Sequence, residues 1–106
     1  MAWIYLAIAG VLEIVWAIGL KYSEGFSRPL ASTITVAAMA VGFWFLALAL
    51  KEIPIGTGYA VWVGIGAVGT AILGIVLFGE SAAWPRLACI AMILAGIIGL
   101  KLTSPS

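Results

Sequence analysis

The sequence predicts an all-α integral membrane protein, four transmembrane helices joined by short loops in a chain of 106 residues. Three observations predict it. Hydrophobic residues make up 65% of the chain and charged residues 8%, where a soluble domain carries about 25% charge. So little charge cannot cover a water-facing surface, whereas hydrocarbon asks for none. Charges and prolines cut the chain into four apolar runs, each about long enough to cross a core of roughly 30 Å as a helix. The segments between them are short and rich in turn residues. Four spans leave almost nothing over, so one transmembrane domain covering 1–106 is expected.

The first span covers about 2–20 and stops at Lys21-Tyr-Ser-Glu-Gly-Phe-Ser-Arg-Pro. Its start has no basic stretch and no small-residue cleavage site ends it, so it is expected to stay as a mature helix rather than be removed. The second span, about 30–50, follows Gly25 and Pro29 and stops at Lys51-Glu-Ile-Pro. Pro54 and Gly56 mark the next turn, and the third span, about 55–78, ends at Gly79-Glu. The fourth, about 84–101, carries Pro85 in its first turn, where proline is well suited, and ends at Lys101. With loops this short, successive helices are expected to run antiparallel and pack as neighbours.

Several function classes are disfavoured by composition. A net charge of +1 provides no basic field for nucleic acid. With no histidine and a single cysteine, no metal, haem or disulfide framework is expected, and no cofactor. Cys89 lies in an apolar run and is expected to pack as a small hydrophobe. Orientation is nearly unbiased. The side holding the N-terminus and second loop carries Lys51 and Lys101, and the other carries Lys21, Arg28 and Arg86. Two readings follow from so small a difference: a weakly specified single orientation, or dual topology with chains inserted both ways.

Glu13 is the only acid inside a span. An acid near the bilayer centre opposes insertion by roughly 3 kcal/mol, while each Ile, Leu or Val returns about 0.3–0.6. The nine such residues in the first span outweigh it, so the helix inserts with an expensive group aboard. An ionisable residue in a span is by default functional. The alternative, a structural acid paired with a base, has no Lys, Arg or His in the middle of any span to supply the partner, since Arg86 and Lys101 stand at the two ends of the fourth. Burial without a cation favours the protonated form. Deprotonated, the carboxylate would hold an organic or metal cation. One group that holds either a proton or a cation, but not both, suffices for exchange.

Gly10, Glu13 and Trp16 share a helical face at spacings of three, and Tyr59 and Trp62 repeat that spacing on the third span. A tyrosine hydroxyl could donate to the carboxylate and indole faces could take up a flat cation. The same aromatics could equally be filling or interfacial belts, a reading that Trp3, Tyr5 and Trp84 fit well. The close pair Gly64 and Gly66 permits a bend in the third helix, or serves close packing. Cys89, Met92 and Gly96 form a small-residue stripe on the fourth, suggesting a contact between subunits. Four helices are too few to line a pathway and also insulate it from lipid. A dimer with two Glu13 facing one cavity solves that problem.

Two segments carry a resemblance: Leu12-Glu-Ile-Val-Trp-Ala-Ile-Gly-Leu-Lys-Tyr-Ser-Glu-Gly-Phe-Ser-Arg, and Ile53-Pro-Ile-Gly-Thr-Gly-Tyr-Ala-Val-Trp-Val-Gly-Ile-Gly-Ala-Val-Gly. With the ending Gly96-Ile-Ile-Gly-Leu-Lys101, the whole chain resembles the small multidrug resistance family. Glu-x-x-Trp-Ala-x-x-Leu-Lys resembles its guanidinium exporters, whereas its broad multidrug exporters carry Gly-Thr in place of Trp16-Ala17. The resemblance implies an antiparallel, dual-topology homodimer in the bacterial inner membrane, exchanging protons for guanidinium. It implies Glu13 as the shared proton and substrate site, Trp16, Tyr59 and Trp62 as pocket residues, and Gly64/Gly66 as the bend. Two departures stand out: the exporters carry serine where this chain has Gly42, and threonine where it has Val63. Lost hydroxyls and added room imply a looser pocket, open to substituted, guanylurea-like guanidinium cations. Rival readings are a quaternary-ammonium exporter, a non-transporting partner subunit, and a simple channel.

Overall fold

The computed structural model describes residues 1–103. All regular structure among them is helical: α1 Ala2–Tyr22, α2 Pro29–Ala49, α3 Ile55–Phe78 and α4 Trp84–Thr103. Each is at least 20 residues long and apolar enough to cross a membrane, so the chain is a multi-pass membrane protein.

The helix ends follow from local chemistry. α1 stops at Ser23, which is fully buried. Its hydroxyl donates to the Leu20 carbonyl at 2.7 Å and accepts from the Phe26 N–H at 3.2 Å. Its carbonyl accepts from the N–H groups of Ser27 at 2.9 Å and Arg28 at 3.1 Å. These bonds hold Glu24, Gly25 and Phe26 at φ of 49°, 72° and 65°, a left-handed conformation that only Gly25 adopts without strain. Pro29 then opens α2 from a position where its missing N–H is harmless. α3 ends on Gly79 at φ 65°, and the Glu80 N–H reaches back to the Gly74 carbonyl at 3.3 Å.

The four helices stand in a row, α2–α1–α3–α4. α1 packs against both α2 and α3, α4 packs against α3, and α2 barely meets α3. The molecule measures 43 × 35 × 17 Å, so it is a slab little more than one helix diameter thick. The expectation that successive helices pack as neighbours therefore fails between α2 and α3. The reason lies in the seams of α1. Against α2, Gly19 meets Thr35 and Leu12 meets Gly42, pairs whose residue numbers sum to 54, as an antiparallel pair requires. Against α3, Gly10 meets Ile65 and Ile14 meets Gly69, a constant offset of 55, as a parallel pair requires. Glycines on both seams let the helices approach closely, and α1 occupies the place between α2 and α3. The core gathers near one end of this row, around Leu6, Ala9, Leu46, Ala49, Ile53, Val61 and Trp62. Residues on α4 are all at least partly exposed.

Candidate functional site

The Glu13 side chain projects from α1 onto α3 at Gly66. A Cβ added at Gly66 would collide with the carboxyl group and approach Cγ to 2.8 Å. Glycine is thus what gives the carboxyl group its seat. The Oε1 atom is buried and accepts no hydrogen bond. The ion pairs formed among the described residues, Arg28–Glu24 at 3.1 Å and Arg86–Glu80 at 2.7 Å, both lie at the ends of the spans. Among the described residues Glu13 therefore forms no ion pair, and its buried oxygen receives no hydrogen bond.

On its open side the carboxyl group borders a cavity of about 380 Å³, lined by Glu13, Trp16 and Ala17 from α1 and by Val63, Gly66, Ala67, Thr70 and Ala71 from α3. The sites read from the sequence divide here. Glu13, Trp16 and Gly66 come together. Trp62 stands one helical turn away and is 6% exposed, and its indole N–H donates to the Ala9 carbonyl at 3.2 Å. Tyr59 and Phe43 each meet Trp62 at a tilt, with ring centroids 5.6 Å and 5.7 Å away. Gly10 lies buried against Ile65, and Gly42 lies buried against Leu12 and 3.8 Å from the Ala9 carbonyl oxygen at the position of a Cβ. Neither glycine lines the cavity of the single chain.

Gly64 faces away, toward Ile97 and Ile93 of α4, and α3 stays helical through Gly64 and Gly66. Cys89, Met92 and Gly96 are exposed on α4, so Cys89 does not pack within the chain. Sequence reasoning did not single out Thr70, which brings a hydroxyl to the cavity wall, the only one among the described residues. Its signal is the stripe of residues 63, 66 and 70 on one helical face, legible once Gly66 is known to face Glu13. Chemically, the arrangement is an unpaired acid in an apolar cleft, beside an indole and one hydroxyl. Such a site has the chemistry to take up a proton or a small cation.

The chain matches the family described as "Small Multidrug Resistance protein" over residues 1–93. A protein of Yersinia pseudotuberculosis named "Guanidinium exporter" is 66% identical over 104 residues, covering 98% of this chain and 100% of its own. Proteins of the same name from Escherichia coli and Proteus vulgaris are 64% and 61% identical, covering 98% of this chain and 99% and 100% of theirs. These bacterial sources fit a place in the bacterial inner membrane. With four membrane-spanning helices, an acid stranded between two of them and agreement along nearly all its length, the chain belongs to the Small Multidrug Resistance family.

Proposed function

We propose that the protein is a proton-coupled antiporter exporting guanidinium or small substituted, guanylurea-like guanidinium cations, and that it works as an antiparallel, dual-topology homodimer. The observation that carries this reading is the unpaired, half-buried Glu13 carboxyl group opening on the cavity beside Trp16. The names of the relatives point to the same cation. A carboxylate matches the planar guanidinium fork through two parallel N–H···O bonds, and the Trp16 indole offers a face to a flat cation. With no resident base, the carboxylate is neutralised by a proton or by the cation. Competition between the two couples their fluxes.

A slab one helix thick leaves the cavity open on one side. A second, inverted copy would close it and bring a second Glu13 to the same space. In this reading Tyr59 and Trp62 join the pocket of the assembled dimer, with Gly10 and Gly42 setting the helix spacing behind it. α3 bends at Gly64/Gly66 as access alternates, and the exposed α4 face of Cys89, Met92 and Gly96 meets the partner. Gly42 and Val63 leave room for a substituent on the guanidinium.

The test is transport by protein reconstituted in liposomes under an imposed pH gradient. Guanidinium and guanylurea should both be carried, each driven by the gradient, and Glu13→Gln should abolish the coupling. Retention of proton-driven uptake in Glu13→Gln sinks the reading. Current that follows the cation gradient without any proton dependence would make the protein a channel. Transport confined to bulky quaternary ammonium ions would overturn the choice of substrate.

A further inference from the structure

α1, α3 and α4 enclose a second depression of about 310 Å³, whose wall includes Trp3 and Ala7 of α1, Ile65 of α3, and Ile97, Ile98 and Lys101 of α4. It is separate from the Glu13 cavity. Val63 lines one and Ile65 the other, and residues two apart on a helix point about 200° from each other. The groove is apolar along its depth, and the Lys101 ammonium is the one charge on its described wall.

That ammonium has a defined place. Its Nζ sits 4.7 Å from the centroid of the Trp3 ring, so it is held at the end of the slab where α1 begins and α4 ends. This is the level of one membrane interface, where tryptophan and lysine settle between hydrocarbon and water. The described carboxylates that form ion pairs, Glu24 and Glu80, are bound to Arg28 and Arg86. The indole takes one side of the Lys101 ammonium, and N–H groups remain to donate elsewhere.

An apolar trough with a cation at its rim is complementary to one class of molecule, an acyl chain ending in a negatively charged phosphate. Basic sites between transmembrane helices bind anionic lipid headgroups on this principle. We propose that this groove binds an anionic phospholipid, its acyl chain along Ala7, Ile65 and Ile97 and its phosphate on the Lys101 ammonium. The lipid would bridge α4 to α1, two helices that do not otherwise pack along their length.

Native mass spectrometry of the protein released from mild detergent tests this, with phosphatidylglycerol or phosphatidylcholine of identical acyl chains added. Wild type should retain phosphatidylglycerol preferentially. Lys101→Gln should reduce that preference about fivefold, the effect of one lysine at an anionic surface, while Lys101→Arg keeps it. Lys51→Gln removes the same charge from the same membrane face but away from the groove, and should change nothing. Ala7→Phe fills the groove and should lower retention of both lipids. Equal losses in Lys101→Gln and Lys51→Gln would reduce the effect to diffuse surface charge and overturn the proposal, as would no loss in Lys101→Gln. If Ala7→Phe instead alters the mass of the oligomer, a second copy of the chain occupies the groove and the lipid site is refuted. Should Ala7→Phe not fold, the two lysine variants decide alone.

Discussion

Gly66→Ala is the sharpest perturbation of the site, because one methyl group falls where the Glu13 carboxyl group now lies. The new Cβ would overlap the carboxyl group and stand 2.8 Å from Glu13 Cγ. Both the methyl-bearing backbone and α1 are held by packing, so the flexible side chain yields. Swinging it to a strained rotamer costs about 0.5–1.5 kcal/mol, small beside the 1–3 kcal/mol of a general core overpacking. Stability should therefore fall by about 1 kcal/mol, while the carboxyl group moves by about an ångström or more toward the cavity. A misplacement of that size typically lowers the rate of a geometry-dependent step about 100-fold. Gly64→Ala is the comparison, since its Cβ meets Ile97 at 2.8 Å and Ile93 at 3.6 Å instead. It should lower stability more and disturb transport less. The assays are guanidinium transport in liposomes and thermal unfolding in detergent for both variants. Wild-type transport by Gly66→Ala would refute the placement of Glu13 against Gly66.

Other predictions concern the frame of the site. Ser23→Ala removes a hydroxyl that makes two hydrogen bonds in a strained loop, and should cost about 1–3 kcal/mol in an unfolding titration. Arg28→Gln breaks an ion pair whose partners are both about two-thirds exposed, and should stay within about 1 kcal/mol of wild type in the same titration. Gly79→Ala places a side chain at φ 65° and should lose about 1 kcal/mol, read from the shift of the unfolding midpoint. Trp62→Phe replaces the buried indole by a smaller ring and removes the N–H donated to Ala9. Because that carbonyl also accepts from within α1, the lost bond should cost about 0.5–1.5 kcal/mol and the vacated volume about 1 kcal/mol more, seen as reduced thermal stability.

The spans were legible in the sequence because hydrocarbon thickness dictates their length, and Pro29, Pro54, Gly79 and Pro85 dictate their ends. Glu13 and Trp16 were legible because three residues bring side chains to one helical face. The row order was not, and the reason is physical. In water, a helix declares its inner face by an apolar stripe, but these helices are apolar all round, so periodicity says nothing about which face meets which neighbour. What decides the order is where small residues permit approach, and that requires two helices to be matched at once. The matching is regular once seen. Ala9 and Glu13, four apart on α1, meet Trp62 and Gly66, four apart on α3, at an offset of 53. The Trp62 indole and the Glu13 carboxyl group are therefore successive rungs of one parallel seam. A slip of one turn along that seam would put Glu13 against Trp62 or Thr70, and neither leaves room for the carboxyl group. Only the register that places Gly66 opposite Glu13 lets the acid lie between the helices with its other side open to the cavity.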